Sequence, residues 1–321
     1  VNQVFFNFNI TILLLFFSIL NCKSSNAPEE RNPDTDFMQP QFYQGVYISN
    51  RMAHSPANLK KLVDELKIAG INTVIVDAQP KKLPEKIVQY FQENKMYAIA
   101  RVVNFEGGLT SEFPDKERMK SIKETVSYSC KQGFKEINLD YIRYSDGGWN
   151  FRAGFEKRYK NITGIISDIR KDTFIDCGQN TLFGADIFGR VPFIENDGIG
   201  QRVENFSEVV DLLYPMLYPS HFYGLKSRVA DPYNTVLEGL QKTIQRSKPN
   251  TSAVAWIQGF QMHIGASGLS YKDYIKVQLQ ASLDSKSKGF VVWNAMNDYV
   301  ITLKAFEEFK KENESVLKKL K

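Results

Sequence analysis

The chain repeats one step eight times: a short run rich in β-branched and aromatic residues, then a segment with apolar residues at helical spacing. The first run is Gly45–Ser49. Ser55-Pro56 then opens a helix to Lys67 with Leu59, Leu62, Val63 and Leu66 on one face. Gly70 stops it, and 72–77 reads as a buried strand through Thr73-Val74-Ile75-Val76. A helix over 84–94, a strand over 96–103 and a helix over 115–132 follow, and Gly133-Phe134 leads into a fourth strand that ends near Asp140. A helix over 155–171 precedes the fifth strand, 182–189. Beyond it a loop with Gly198 and Gly200 reaches Gln201 and Glu204, and a short helix delivers the sixth strand, 211–216. Helices over 232–246 and 271–285 precede strands over 252–258 and 289–294, and a helix over 303–320 closes the chain. Eight such alternations predict an α/β protein built as a single (β/α)8 TIM barrel, for which about 250 residues is typical. An open doubly wound sheet is the alternative, but the first strand lacks the Gly-rich phosphate turn of a dinucleotide fold.

The segment before the barrel reads differently. Residues 10–20 are apolar except for Thr11 and Ser18, too short to span a bilayer comfortably but right for the core of a signal peptide. The run ends Leu20-Asn21-Cys22, which resembles the lipobox of bacterial lipoproteins. That resemblance implies cleavage before Cys22 and lipidation there, with enough acyl chains to hold the protein stably in a membrane. No Lys or Arg precedes the apolar core, and an uncleaved membrane anchor is the other reading; both export the protein. The expected organisation is a signal peptide and lipobox over 1–22, a flexible Asn-, Pro- and Ser-rich tether over 23–41, and the barrel over 42–321. The expected location is the periplasmic face or the cell surface, with the membrane as partner through Cys22.

A net charge of +5 is mild, and the basic residues are spread through helices, with a cluster only in the last one. This gives no nucleic-acid footprint, which needs a concentrated basic stripe with base-stacking aromatics. The three cysteines show no metal-ligand spacing; a disulfide between Cys130 and Cys177 is allowed but not indicated. There is no Gly-x-Ser-x-Gly elbow, no phosphate loop and no His-Glu-x-x-His pair, and only His54, His221 and His263 are available as bases or ligands. Nothing in the sequence requires a cofactor.

In a parallel barrel the catalytic groups sit at the carboxyl ends of the strands. Those ends carry Asp77, Arg101, Asp140, Tyr141, Arg143, Asp186, Tyr218, His221, Trp256, Gln258, Trp293 and Asn294. Carboxylates, planar donors and tryptophans are what a sugar-binding cleft needs: aromatic faces for pyranose rings, amides and Arg for hydroxyls, and a carboxylate pair for acid/base work. Asp140 and Arg143 read equally well as a structural ion pair, and a Trp at a strand end is more often core than platform.

The motifs carrying these residues resemble a known family. Leu139-Asp140-Tyr141-Ile142-Arg143-Tyr144, Ala185-Asp186-Ile187-Phe188-Gly189, Gly198-Ile199-Gly200-Gln201 with Glu204, Tyr214 through His221, Ala255 through Phe260 and Val292 through Ala295 occur in the order and spacing of the bacterial "putative glycosyl hydrolase" family. That family is a TIM-barrel group first catalogued as a domain of unknown function and distantly similar to α-amylase-type glycosidases. The resemblance implies a glycoside hydrolase acting on a polysaccharide or oligosaccharide, with Gln201 among the substrate-binding residues. Similar barrels keep their nucleophile on the fourth strand. Asp140 is therefore expected as nucleophile, or as general base in an inverting enzyme, with Asp186 the first choice of general acid and Glu204 the second. The chain departs from the pattern at Ala78-Gln79-Pro80-Lys81-Lys82, in the short loop from Gly107 to Pro114, and at Ser145 where the family has Pro. The alternative of another class is a non-catalytic, lipid-anchored carbohydrate-binding or adhesion protein. A metal-dependent deacetylase would need a His/Asp triad that the sequence does not display.

Overall fold

The computed structural model describes Val1 and residues 39–320, so the expected signal peptide, Cys22 and most of the tether lie outside the described residues. Eight strands form one closed barrel in chain order, every pair parallel. They are β1 (Tyr43–Ile48), β2 (Thr73–Asp77), β3 (Tyr97–Val103), β4 (Glu136–Asp140), β5 (Leu182–Phe188), β6 (Leu212–Met216), β7 (Ser252–Gln258) and β8 (Gly289–Trp293). A helix follows each strand except the last in crossing to the next, and one more follows β8. These are α1 (Pro56–Ala69), α2 (Ile87–Glu93), α3 (Lys116–Lys131), α4 (Phe155–Asp172), α5 (Val203–Phe206), α6 (Pro232–Arg246), α7 (Tyr271–Asp284) and α8 (Val300–Glu312). The (β/α)8 barrel is the fold expected from the alternation. Two helices differ from expectation. α2 starts three residues late, because Lys86 at its N-cap is left-handed (φ 64°) and interrupts the helical path from Pro84. The last helix starts three residues early, at Val300, and breaks at Asn313, whose backbone (φ −115°, ψ 18°) leaves the helical region and separates α8 from a further short helix over Glu314–Lys319. No helix among the described residues is long and apolar enough to cross a membrane.

The two-residue period of each strand sorts its side chains into two cores. On β4, Ile137 and Leu139 point outward and join the apolar layer under the helices, whereas Glu136, Asn138 and Asp140 point into the barrel. The interior is filled by Tyr43, Ile75, Tyr97, Ile99, Tyr214, Val254, Trp256 and Val291. Gly184 makes room for this filling, since a Cβ there would stand 2.6 Å from the ring of Tyr214. Outside, Cys130 at the end of α3 forms a disulfide with Cys177 of a short turn after α4.

At the amino-terminal end of the barrel, Glu136 is fully buried beneath the aromatic filling. Tyr43 donates to its Oε2 at 2.6 Å and Tyr214 donates to its Oε1. Burial outweighs these bonds and pushes the Glu136 carboxyl from the ordinary 4.5 to about 7. A carboxyl whose pKa is raised on folding holds its proton in the native state while the unfolded chain has lost it. Its contribution to stability is therefore complete below about pH 4.5 and lost as pH rises towards 7. Urea unfolding between pH 5 and 8 is expected to show a loss of up to about 3 kcal/mol that shrinks in Glu136→Gln; the same slope in both proteins would remove Glu136 as its source.

Candidate active site

Register brings the site together. Asp77 on β2 pairs with Arg101 on β3, Arg101 lies opposite Asn138 on β4, and Leu139 pairs with Ala185, which makes Asp140 and Asp186 neighbours at the ends of β4 and β5. The side chains of Asp77, Arg101, Asn138, Asp140 and Asp186 point inward at the carboxyl end of the barrel. Arg101 is buried among three carboxylates: Nη1 donates to Asp77 Oδ1 at 2.5 Å, Nε donates to Asp140 Oδ2 at 3.0 Å with Nη2 on the same oxygen, and Asp186 Oδ2 stands 4.0 Å from Nε. Burial disfavours the guanidinium charge, but Asp140, Asp77 and Asp186 outweigh it and hold the group firmly cationic. Tyr47 donates to the second oxygen of Asp77, whose carboxyl burial nevertheless pushes up.

Asp140 and Asp186 sit in different surroundings. Asp140 is 5% exposed and bonded by Arg101 on one oxygen; on the other, Oδ1, it accepts the backbone N–H of Tyr141 at 2.6 Å. Tyr141 takes a left-handed backbone (φ 53°), unusual for a bulky residue, where the chain turns out of β4 into the loop that carries Arg143. Asp186 is 1% exposed, and its Oδ1 accepts from Asn138 Nδ2 at 2.8 Å and Trp256 Nε1 at 2.7 Å. Burial, and then the charge of Asp140, push its carboxyl well above the usual range. Both N–H donors sit on Oδ1, which leaves Oδ2, 4.0 Å from Arg101 Nε, as the oxygen that neither of them occupies.

These groups form the floor of a cavity of about 800 Å³. Of the residues expected from sequence, Arg101, Asp140, Tyr141, Arg143, Asp186, Tyr218, His221, Trp256 and Trp293 line it. Asp77 lies behind Arg101. A larger, more open groove of about 1,020 Å³ runs between the loop after β2 and α3, away from these carboxylates.

Several expected residues serve in other ways. Gln201 accepts from Phe188 N at 2.9 Å and donates to Asp186 O at 3.0 Å, so it ties a loop to β5. Gln258 accepts from Ser220 N at 3.1 Å and donates to Phe260 O, and Asn294 donates to Gly259 O at 2.6 Å; both brace loops. Glu204 requires a correction. It sits on α5 outside the cavity, where Arg246 grips both of its oxygens at 2.8 and 2.9 Å. Burial opposes the charge there, but Arg246 prevails and the carboxyl is lowered, the opposite of what a proton donor needs. Trp256 is no open platform either, being 1% exposed with its indole N–H committed to Asp186. Trp293 packs against Tyr47 with centroids 4.0 Å apart and the rings tilted by 31°, and meets Trp256 edge-on. Burial lowers the pKa of His221, keeping the ring neutral, and it packs edge-on against Tyr218.

Sequence reasoning missed Asn138, although its inward position two residues before Asp140 was readable from the strand period. Its Oδ1 is buried without a partner. It also missed Phe188, at the end of β5, and Asp146, Arg190 and Tyr223 on the cavity walls, which sit on loops that no periodicity aims. Among the described residues no group of three or more His, Cys, Asp or Glu side chains is placed to hold a metal.

Residues 124–299, more than half of the chain, match the family described as "Putative glycosyl hydrolase domain". The chain belongs to that family. The matched stretch carries both Asp140 and Asp186 but begins after Asp77 and Arg101. No curated protein matches by sequence. Among solved structures, the glycoside hydrolase domain of PgaB (BpsB) from Bordetella bronchiseptica superposes with a TM-score of 0.62 at 10% identity, over 84% of this chain and 98% of that one. An endo-1,4-β-mannanase from Rhizomucor miehei gives 0.61 at 13% identity over 85% and 96%. A hyperthermostable endo-1,4-β-D-mannanase from Thermotoga petrophila gives 0.60 at 11% over 85% and 99%. At such identities these likenesses establish the barrel fold alone.

Arg101 is the keystone of the site's charge balance. Removing one partner of a buried ion cluster strands the others, so Arg101→Met is expected to cost about 3–5 kcal/mol at pH 7. Because the stranded groups are carboxylates, the cost should shrink in acid as they protonate. Urea denaturation at pH 7 and pH 4 checks this; a cost below about 1 kcal/mol at both would contradict the role assigned to Arg101.

Proposed function

We propose that the chain is a glycoside hydrolase that cleaves a polysaccharide by two-carboxylate catalysis, with Asp140 as nucleophile and Asp186 as general acid. The observation that carries this is the contrast between the two carboxyls: Asp140 ion-paired with Arg101, and Asp186 fully buried with both of its N–H donors on one oxygen and its pKa pushed up. In the first step an oxygen of Asp140 bonds to the anomeric carbon while the glycosidic C–O bond breaks, and the Asp186 proton passes to the leaving oxygen. In the second, water attacks the same carbon, returns a proton to Asp186 and releases Asp140. This two-step course is that of a retaining enzyme, in which the two carboxyls lie about 5–5.5 Å apart. Tyr141, Tyr218 and Trp293 would flank the sugar, with His221 as a neutral neighbour.

Export with an anchor at Cys22 is part of the same proposal. The Cys130–Cys177 disulfide favours an oxidising compartment, and a cleft served by polymers outside the cell suits that setting.

The test is reducing-end release from mannans, β-glucans and bacterial surface polysaccharides. Asp140→Asn is expected to abolish release while the protein still unfolds cooperatively. Asp186→Asn is expected to lower kcat by about 10²–10⁴-fold on polysaccharide and much less on nitrophenyl glycosides, whose leaving group needs no proton. In the native protein the rate should fall as pH rises through the elevated Asp186 pKa, because the donor is then lost. Undiminished release by Asp140→Asn would overturn the assignment. Binding of a glycan with no release by any form would instead favour a non-catalytic carbohydrate-binding protein.

A further inference from the structure

The wall of the cavity beyond Asp140 carries a cation that the mechanism does not use. Arg143 is 6% exposed, lines the cavity, and has its Nε buried with no hydrogen-bond partner. Its Nη1 donates to Tyr144 O at 2.8 Å. The guanidinium lies over the ring of Phe188 at 4.3 Å and near that of Tyr141 at 5.6 Å, and the guanidinium of Arg190 approaches the same phenyl ring at 5.0 Å. A buried N–H without a partner is rare and costly, and so calls for an explanation such as a ligand. The contrast with Arg101 is direct: Arg101 has carboxylates on three sides, whereas among the described residues the one ion pair of Arg143 is with Asp146, whose Oδ2 is 3.9 Å from Nη1, with Asp140 acting on it only from farther off. Asp146 is 57% exposed at its side chain and makes its close bond, 2.5 Å, to Arg190. Desolvation accordingly lowers the Arg143 pKa, the mark of a cation short of a counter-charge.

Resting on the hydrolase reading of the same cavity, we infer that Arg143, with Phe188 and Arg190, forms a subsite for a carboxylate on the sugar, so that the substrate is an acidic, uronate-containing polysaccharide. A planar guanidinium offers paired N–H donors that match a carboxylate, which a sugar hydroxyl cannot use as fully. The contact with the face of Phe188 and the bond from Nη1 to Tyr144 O hold the guanidinium in place at the wall. Asp146 competes for the same cation and is exposed enough to be displaced by the ligand's carboxylate.

The experiment measures binding of the full chain, in detergent, to polygalacturonate and alginate, and to carboxyl-reduced forms of both, with reducing ends read in the same samples. The acidic polymers are expected to bind about tenfold or more tightly than their reduced forms, the scale of one hydrogen-bonded charge pair. Arg143→Gln should erase that preference. Because Arg143 is buried and its variant can fail to fold, the exposed Asp146→Asn provides the second arm: with the competitor gone, the preference should widen several-fold. No preference in the native chain, an unchanged preference in Arg143→Gln, or no widening in Asp146→Asn would overturn the subsite. Equally tight binding of dextran sulfate would overturn its assignment to carboxylates. The two readings fail separately. Release from neutral mannan alone, lost in Asp140→Asn, keeps the hydrolase and removes the acidic subsite; carboxylate-dependent binding with no release from any polymer keeps the subsite and removes the hydrolase.

Discussion

One guanidinium organises the carboxyl end of this barrel. Arg101 reaches from β3 towards the barrel axis and meets Asp77, Asp140 and Asp186, which arrive from three other strands. Without it the interior would hold three carboxylates with no cation among them, in surroundings where an unpaired charge is strongly disfavoured. With it, Asp77 and Asp140 are ion-paired and Asp186 is left over. The geometry of the strands alone brings the acids close; the single cation decides that they do not share one fate.

That shortage of positive charge is what makes the site chemically asymmetric. Asp186 is the most buried of the three acids and stands farthest from the guanidinium, at 4.0 Å, so burial and the nearby charge of Asp140 raise its pKa. Asn138 and Trp256 both donate to its Oδ1 and leave Oδ2 to the side of Arg101. Acid/base work on a glycosidic bond needs two carboxyls in unlike surroundings, and burial and pairing make the surroundings of Asp140 and Asp186 unlike. The same pattern recurs at the other end of the barrel without that use: Glu136 is also buried and raised, but it is sealed under Tyr43 and Tyr214, and its proton bears on stability.

The barrel was legible because its signals are local. β-branched runs such as Thr73-Val74-Ile75-Val76 and apolar faces such as Leu59, Leu62, Val63 and Leu66 declare strand and helix without reference to the rest of the chain. Asp77, Arg101, Asp140 and Asp186 were legible for a related reason: each ends or nearly ends a strand, and parallel barrels gather strand ends. Arg101 lies outside the matched family stretch, so strand position alone pointed to it. The failures are all non-local. Glu204 was drawn into the site by its motif, but its partner Arg246 is 42 residues away on another helix, and no spacing announces that pair. Trp256 looked like a sugar platform because its composition suits one; only the register with β5 and β6 reveals that its indole serves Asp186. The late start of α2 depends on a left-handed Lys86, which side-chain propensity does not forecast. The Cys130–Cys177 disulfide depends on how α3 meets the turn after α4.

The most direct test of the account is the protonation state of Asp186. Infrared difference spectroscopy between the native protein and Asp186→Asn at about pH 6, roughly two units above the ordinary aspartate value, reports whether a protonated carboxyl is lost on substitution. The signal of Glu136, also raised, is present in both proteins and cancels. The account predicts loss of one protonated carboxyl band. Loss of a carboxylate band alone would mean that Asp186 is ionised beside Asp140, and the division of roles between the two acids would fall with it.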